Sequence, residues 1–430
     1  MNHNSNSKTK TPIFYGWWVI AACSAMVFFA SGIFFRGFTV LVPAMRDSLG
    51  ISQMQTNLIF AIARSEGGLE GPFVGWFIDK LGNKKILVPM VILAGIGYML
   101  FTVYVRNYWS FALIYLGVIS LGNSAGFQHA LFAGVNNWFN RKRSLALSTL
   151  AAISSLGGLA MVPLLNFLID LRGWRAATFV SSLCYFFIIL PLTYFFKNKP
   201  EDMGLHPDGD ALPRQVTGIG GQSSEVRGYT VKEALENKAF WLLLVGTGLR
   251  MLATMGILVT IVPILESKGV SRQTAANLTG LMFGINFLSR MIVGYMGDYV
   301  PKQYILTITL ILEGTAFICL FYSGPTAYSL ILIWMFIVCE GLGDGAGILV
   351  WATLGDFFGR EKFASLRGII TFSHSWALIG SPLFAGWAFD TLGNYQMVLL
   401  LSGMCAYLAS ACFVFIKRPP ILTMESIERG

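Results

Sequence analysis

Residues 75–85 read GWFIDKLGNKK, and a related stretch, GYMGDYVPK, occupies residues 294–302. In each stretch a glycine lies four positions before an aspartate, and a basic residue follows shortly after it. Asp79 and Asp298 are 219 positions apart, and other residue pairs recur at that spacing or within one residue of it. These pairs are Arg141 and Arg360, Arg143 and Lys362, Pro163 and Pro382, Gly50 and Gly269, Pro43 and Pro263, and Gly173 and Gly393. The repeat predicts a chain of two similar halves.

The composition is that of a membrane protein. Of the 430 residues, 55% are hydrophobic and 12% are charged, with a mean hydropathy of +0.63, whereas a soluble domain carries about 25% charged residues. The apolar residues form runs long enough to cross a bilayer, which takes about 20 residues. The predicted spans are 14–42, 56–78, 86–105, 109–136, 145–169, 176–196, 239–265, 275–297, 304–323, 327–354, 364–388 and 396–416. We therefore predict an all-α integral membrane fold of twelve helices in two pseudo-symmetric six-helix halves.

The spans divide the chain into five parts. We expect a disordered tail over residues 1–12, a first half over 13–196, a linker over 197–238, a second half over 239–416 and a tail over 417–430. Lys and Arg concentrate in the tails, the linker and the even-numbered loops, whereas the odd-numbered loops carry six of them. The positive-inside rule then places both termini in the cytoplasm. We expect the location to be a prokaryotic inner membrane.

Several functional classes find no support in the sequence. The net charge of +9 is explained by topology, and no basic stripe with interleaved aromatic residues indicates nucleic-acid binding. All six cysteines fall inside predicted spans, without CxxC pairs or metal-ligand spacing. No phosphate-binding loop or nucleophile elbow is present. We therefore expect no cofactor and no metal, and neither a membrane enzyme nor a sensor.

The first repeat resembles the loop signature of the major facilitator superfamily, with its weaker copy, around Asp298, between spans eight and nine. The matching positions are Gly75, Asp79, Lys80, Gly82, Lys84 and Lys85. At the end of span two, the Asp79 carboxylate can cap the N-terminus of a facing helix or pair with an arginine, so that the motif closes the inner side. The alternative is a basic loop that only sets topology.

Ionisable residues inside spans are costly and are therefore candidate functional sites. They are Arg36, Arg64, Glu66, Glu70, His129, Arg250, Arg290, Glu313, Glu340, Asp344 and His374. Their near-balance of charge favours structural ion pairs for several of them. At 1.5 Å of rise per residue, Arg250, Glu313, Asp344 and His374 lie roughly 15–17 Å deep and Arg290 about 12 Å deep. Transporters hold substrate near the midplane between their halves.

Span eight contains Asn286 and Arg290, four residues apart on one helix face. This Asn-x-x-x-Arg, eight residues before Asp298, resembles span eight of the monocarboxylate transporter and oxalate–formate antiporter branch. The resemblance implies that Arg290 binds a substrate carboxylate and that His374 faces the substrate or carries a proton. The alternatives are a pair between Arg290 and Asp344 or Glu340, and a hydrogen-bonded buried imidazole at His374. For His129 we favour a structural role.

Two acidic pairs lie at helical i,i+4 spacing: Glu66 with Glu70, and Glu340 with Asp344. Adjacent carboxylates favour proton binding, so all four residues are candidates for proton coupling. Equally, Glu66 and Glu70 can neutralise Arg36 or Arg64, and Glu340 and Asp344 can neutralise Arg250 or Arg290. Arg36 is a further candidate for substrate binding.

The sequence thus predicts a secondary transporter for a small organic anion, either a monocarboxylate or a short dicarboxylate. We expect coupling to protons or to a counter-anion, alternating access, and function as a monomer in the lipid bilayer. The alternative is an exporter of drugs or metabolites, which the sequence AAISSLGGLAMVPLL of span five, lacking a Gly-Pro signature, disfavours.

Overall fold

The computed structural model of the chain describes residues 14–51, 53–210, 215–217, 223–324, 328–420 and 422–423. Within them the chain forms twelve long helical segments. The first half has α1 (Tyr15–Ala30, the π-helical Ser31–Arg36, and Phe38–Leu49), α2 (Gln53–Leu69 and Gly71–Leu81), α3 (Asn83–Tyr104), α4 (Tyr108–Ile114, Tyr115–Ser120, Leu121–Asn123, Ser124–Leu131 and Phe132–Trp138), α5 (143–172) and α6 (174–192). The second half has α7 (Lys238–Ser267), α8 (Arg272–Met296), α9 (Lys302–Tyr322), α10 (Ser329–Gly343, the 3₁₀ turn Asp344–Ile348, and Leu349–Phe358), α11 (Phe363–Leu392) and α12 (Gln396–Val414).

This architecture agrees with the predicted fold class. By length and composition, eight helical stretches of the described chain are apolar enough to cross a membrane, and one of them, residues 143–192, contains both α5 and α6. Most predicted spans lie within a few residues of a helix. The largest difference is in α1, which continues to Leu49 instead of ending near residue 42.

Outside the spans, the linker and the C-terminal tail form a small antiparallel sheet. Its strands are β1 (Gln215–Thr217), β2 (Ser223–Arg227) and β3 (Leu422–Thr423), in the order β1-β2-β3. A short helix, Val231–Glu236, follows the sheet. Its capping box joins Thr230 and Glu233, as the Thr-x-x-Glu pattern predicts.

The internal repeat is visible in the backbone as well as in the sequence. Gly50 and Gly269 both have positive φ, at 64° and 85°. Gly173 and Gly393 do as well, at 79° and 70°. These left-handed conformations strain any residue with a Cβ atom, so glycine marks equivalent turns in the two halves. Pro163 in α5 and Pro382 in α11 likewise occupy equivalent helix interiors.

The halves meet near the face that carries residue 14, the linker and residue 420, called here the terminal face. There α2 packs against α11, and α5 packs against α8. Glycines allow both contacts. A Cβ atom added at Gly75 would lie 2.3 Å from the Ala364 carbonyl oxygen, and one at Gly294 would lie 2.3 Å from Ser148 Cβ. Gly75 and Gly294 are themselves separated by the repeat distance, so the two crossings are pseudo-symmetric.

Candidate functional site

A charged cluster joins four helices of the second half. The Arg250 guanidinium on α7 donates to Glu313 Oε1 on α9 at 2.7 Å and to Asp344 Oδ1 on α10 at 2.6 Å. On α8, Arg290 lies 3.2 Å from Asp344 Oδ2, and Asn286 Nδ2 donates to the same oxygen at 2.5 Å. Asp344 therefore accepts hydrogen bonds from three side chains. It begins the 3₁₀ turn that interrupts α10.

The side chains of the cluster range from fully buried to partly exposed. The Arg250 and Glu313 side chains are 4% and 0% exposed, whereas those of Arg290 and Asp344 are 27% and 34% exposed. Arg250 and Glu313, the inner pair, are therefore buried as a structural ion pair would be. Arg290 and Asp344, the outer pair, are exposed enough for a solute to reach them. The outer pair corresponds to one of the two alternatives predicted for Arg290. Glu340 is buried, and its Oε2 has no hydrogen-bond partner among the described residues.

Residues of the first half approach the same pair. Arg290 Nη1 lies 3.5 Å from Ser155 Oγ on α5. Arg36 on α1 is close enough to interact electrostatically with Arg290 and Asp344, and its aliphatic stem packs against Gly158. Arg290 and Arg36, one from each half, therefore both interact with Asp344. Guanidinium groups at this position suit a carboxylate-bearing solute.

His374 lies next to this cluster but is not hydrogen-bonded through Nε2 within the described structure. The residue is buried, and its ring centroid is 6.0 Å from that of Trp351. It interacts electrostatically with Arg250. A buried nitrogen without a partner gives no support to a satisfied structural imidazole.

Glu66 and Glu70 lie apart from the cluster, on α2 of the first half. Glu66 Oε2 and both Glu70 carboxylate oxygens are buried without a hydrogen-bond partner in the described part of the chain. They lie beside the hydroxyl groups of Ser120 and Ser124 on α4. The side chain of Arg64, one of their suggested partners, is outside the described residues. His129 Nε2 links α4 to the Gly67 carbonyl on α2 at 2.9 Å, while its buried Nδ1, like Nε2 of His374, has no partner among the described residues.

The repeated aspartates cap helices across the boundary between the halves. On α2, Asp79 Oδ2 accepts from the Ser365 amide at the start of α11, at 3.0 Å. After α8, the Asp298 carboxylate accepts from the amides of Ser144 and Leu145 at the start of α5, at 2.8 and 3.2 Å. Burial raises the pKa of Asp298, and these amides oppose the shift. Each carboxylate meets the positive end of a helix in the other half.

The basic residues of the motif stay within the first half. Lys80 lies over the Trp76 ring at 4.8 Å, and the Lys84 ammonium donates to the Tyr194 carbonyl at 3.2 Å. Lys85 is exposed, and Gly82 alone separates α2 from α3, with a φ of 92°. Thus Asp79 and Gly75 are the motif residues seen in contact with α11.

One inter-half ion pair was not singled out from the sequence. Arg143 Nη1 on α5 lies 2.5 Å from Asp356 Oδ1 on α10, and Lys302 holds the second Asp356 oxygen at 2.5 Å. In the sequence, Arg143 stands out only because Lys362 lies at the same place in the second repeat. No sequence spacing connects it to Asp356, 213 positions away.

Comparisons with known proteins agree on the family. The model of the Major Facilitator Superfamily matches residues 20–380 and, in a second match, 243–428. Monocarboxylate transporter 12 of Xenopus laevis is 25% identical over 454 residues, covering 99% of this chain and 95% of its own. Monocarboxylate transporter 2 of Homo sapiens is 22% identical, covering 92% and 84%. A probable L-galactonate transporter of Escherichia coli is also 22% identical, covering 92% and 89%.

Solved structures share the fold at low identity. The Escherichia coli fucose:proton symporter FucP has a TM-score of 0.68 at 15% identity, covering 94% of this chain and 100% of its own. The proton:xylose symporter XylE, bound to 6-bromo-6-deoxy-D-glucose, has a TM-score of 0.70 at 12% identity, covering 96% and 98%. The family match spans most of the chain, and the helices form two repeated halves around a charged centre. The chain belongs to the Major Facilitator Superfamily and is a multi-pass membrane transporter.

Proposed function

We propose that this transporter moves a small organic anion, either a monocarboxylate such as lactate, pyruvate or formate or a short dicarboxylate. The observation that carries the proposal is the accessible pair of Arg290 and Asp344, with Arg36 nearby. A guanidinium offers a planar fork of donors that matches a carboxylate. The similarity to monocarboxylate transporters and to a probable L-galactonate transporter supports the same substrate class.

In this mechanism the substrate replaces an internal carboxylate. When the site is empty, Asp344 pairs with Arg290. When a substrate carboxylate binds Arg290 instead, Asp344 keeps its pair with Arg250. Arg290 is then neutralised in both conditions, which avoids an unpaired buried charge. Asn286 contacts Asp344 in the empty site and becomes a neutral contact for the substrate. Arg36 supplies the additional positive charge.

Coupling to protons requires a group that changes its charge during the cycle, whereas exchange requires that a second anion bind the same site. His374, Glu340 and Asp344 lie in or beside the cluster, while Glu66 and Glu70 form a separate acidic pair. We propose that protons, or a counter-anion in an exchange cycle, balance the substrate charge through these residues. Unpartnered buried oxygens of Glu340, Glu66 and Glu70 support proton binding there.

The gate is proposed to act at the terminal face. Asp79 and Asp298 cap opposing helices there, and Gly75 allows the close crossing of α2 and α11. Breaking these contacts would let the halves rock apart on that side. If the terminal face lies on the cytoplasmic side, as the positive-inside rule predicts, this conformation is closed to the cytoplasm. A monomer suffices, because both halves of the pathway are in one chain.

The function is tested by uptake of labelled lactate, pyruvate, formate and oxalate into proteoliposomes, with and without a pH gradient. We expect saturable uptake of at least one anion. Arg290→Gln should reduce uptake by about a hundredfold, because a charged hydrogen-bonded contact is lost. Arg290→Lys should keep part of the activity, since it keeps the charge but not the fork.

The matched control is Arg106→Gln, in an exposed loop outside the cluster. It should transport as the unmodified protein does. Absence of carboxylate uptake by the unmodified protein, or full uptake by Arg290→Gln, would overturn the proposal and return attention to an exporter of uncharged or cationic compounds.

A further inference from the structure

A buried arginine on α11 has no role in the mechanism described so far. Arg367 is 4% exposed and lies four residues after the start of α11. Its guanidinium carbon lies 4.8 Å from the ring centroid of Phe132 on α4 and 4.8 Å from that of Trp351 on α10. Nη1 donates to the Gln128 carbonyl on α4. No carboxylate is within salt-bridge distance of it among the described residues.

This arrangement leaves the cation incompletely paired. Arginine has five N–H donors, yet one carbonyl acceptor is seen, and the buried Nε has no partner within the described structure. Aromatic faces attract a cation more weakly than a carboxylate does. A buried charge held in this way is costly and calls for a purpose beyond packing.

The partners of Arg367 come from both halves. Gln128 and Phe132 belong to the first half, in and after the π-helical segment Ser124–Leu131, whereas Trp351 belongs to the second half, like Arg367. Separation of the halves at the terminal face would therefore remove the carbonyl and one ring together. It would leave a cation with free donors on the wall of the opened pathway.

The position of Arg367 lies between the central cluster and the terminal face. It precedes His374 by seven residues on the same helix, which is about 10.5 Å or two turns towards that face. It also interacts electrostatically with His374. A substrate leaving Arg290 towards the terminal face would pass this level of the pathway.

We propose that Arg367 is a second anion-contact residue, which binds the substrate carboxylate on the terminal side once the halves have separated there. In the conformation described, Phe132, Trp351 and the Gln128 carbonyl shield the guanidinium in place of the anion. The inference rests on the proposed anion transport. It adds a binding position that exists in one state of the cycle and is absent from the other.

The test compares the KM measured from the two faces of the membrane. If Arg367 acts only on the balance between the two states, its loss shifts that balance and changes the two KM values in opposite directions. If Arg367 contacts the anion, its loss raises the terminal-side KM alone. We expect Arg367→Gln to raise the terminal-side KM by about tenfold, the effect of one lost charged hydrogen bond, and to leave the KM of the opposite face unchanged.

Phe132→Leu is the matched control, because it removes the aromatic ring that packs on the Arg367 guanidinium and leaves the cation in place. It should lower the terminal-side KM or leave it unchanged. Both KM values are measured by exchange of a labelled carboxylate in proteoliposomes whose orientation is established with a C-terminal epitope tag. An unchanged or lowered terminal-side KM in Arg367→Gln overturns the inference, and so does a raised terminal-side KM accompanied by a lowered KM at the opposite face.

If Arg367→Gln does not fold, Arg367→Lys replaces it in the same comparison. A terminal-side KM equal to or below that of the unmodified protein then overturns the inference, and a raised one with an unchanged KM at the opposite face supports it. Failure of the proposed function is separable from this result. It would appear as absent carboxylate transport in the unmodified protein, whereas failure of this inference alone leaves transport and its dependence on Arg290 intact.

Discussion

At the scale of single residues, Asp344 is the group on which the central site depends. It accepts from Arg250, Arg290 and Asn286. In the proposed mechanism a substrate carboxylate competes with it for Arg290, and Asp344 returns to Arg290 when the substrate leaves. On that proposal, one carboxylate sets both the affinity for the anion and the rate of its release.

We expect Asp344→Asn to bind a carboxylate about tenfold more tightly and to transport it more slowly, because the competitor for Arg290 has lost its charge. Binding is measured by calorimetry on the purified protein, and turnover by proteoliposome uptake. Glu266→Gln, an exposed site at the end of α7, serves as the control. Weaker binding in Asp344→Asn would contradict the displacement mechanism.

The sequence allowed part of this site to be predicted. The depth of Arg290 and Asp344 could be counted along their helices, and Asn286 could be placed on the same helix face as Arg290. In the structure both Arg290 and Asn286 contact Asp344. The sequence could not predict that Arg250 pairs with Glu313 rather than Glu340, because that pairing depends on the rotation of α9 and α10 about their axes. Arg367 resembled a loop charge at the start of a span, and its burial arises only when α4 packs over it.

At the scale of helices, the crossing of α2 and α11 explains the glycine of the motif. Besides Gly75, Gly71 lies against Gly368, where an added Cβ atom would be 2.8 Å from the carbonyl oxygen. Backbone atoms cannot move aside as a flexible side chain can. Small residues therefore set how closely the two helices approach when the terminal face is closed.

Gly75→Ala should force these helices apart and shift the protein towards the terminal-open state. We expect the amides at the start of α11, including that of Ser365, to exchange hydrogen for deuterium about tenfold faster. Gly280→Ala on α8 is the control, since an added Cβ atom there meets nothing within 4 Å. Unchanged exchange in Gly75→Ala would show that the crossing does not limit closure.

Hydrophobic runs predicted where most helices lie, but not how they are interrupted. The 3₁₀ turn Asp344–Ile348 and the π-helical segments of α1 and α4 fall inside continuous apolar stretches. Such irregularities expose or rotate particular side chains within a packed bundle. Their positions depend on neighbouring helices and leave little trace in local hydropathy.

At the scale of the whole molecule, the terminal face is tied by two kinds of ion pair. Arg143 and Asp356 join the halves directly, with side-chain exposures of 3% and 24%. The linker adds an outer tie, because Glu201 pairs with Arg360 at 2.8 Å and Asp208 accepts from the amides of Asn140 and Arg141. The outer pair is more exposed and therefore contributes less.

We expect Arg143→Gln to reduce the transport rate by at least about tenfold, because a buried charged contact between the halves is lost. The fold should persist, since Asp356 keeps Lys302. Glu201→Gln should change transport less than twofold, as exposed pairs contribute about 0–1 kcal/mol. Equal effects of the two substitutions, measured in the same uptake assay, would contradict this ranking.

The duplicated plan of the molecule could be predicted from the sequence, because Asp79 and Asp298 and the turn glycines keep the repeat distance. The asymmetry of the central site could also be seen, since Gly71 and Ala125 stand where the other half has Arg290 and Asp344. The pairing of α2 with α11 and of α5 with α8 came from the structure, because sequence periodicity carries no record of which helix faces which.

The crossed helix caps have a consequence for how the protein is made. The first amides of α5 are capped by the Asp298 carboxylate, which is synthesised about 150 residues later. The Asp79 carboxylate caps the amide of Ser365, which lies 286 positions downstream. When the first six helices have been synthesised, the start of α5 therefore still lacks its capping carboxylate, and Asp79 still lacks the helix that it caps. Final assembly has to wait for the second half, so two separately expressed halves should each remain incomplete until they meet in the same bilayer.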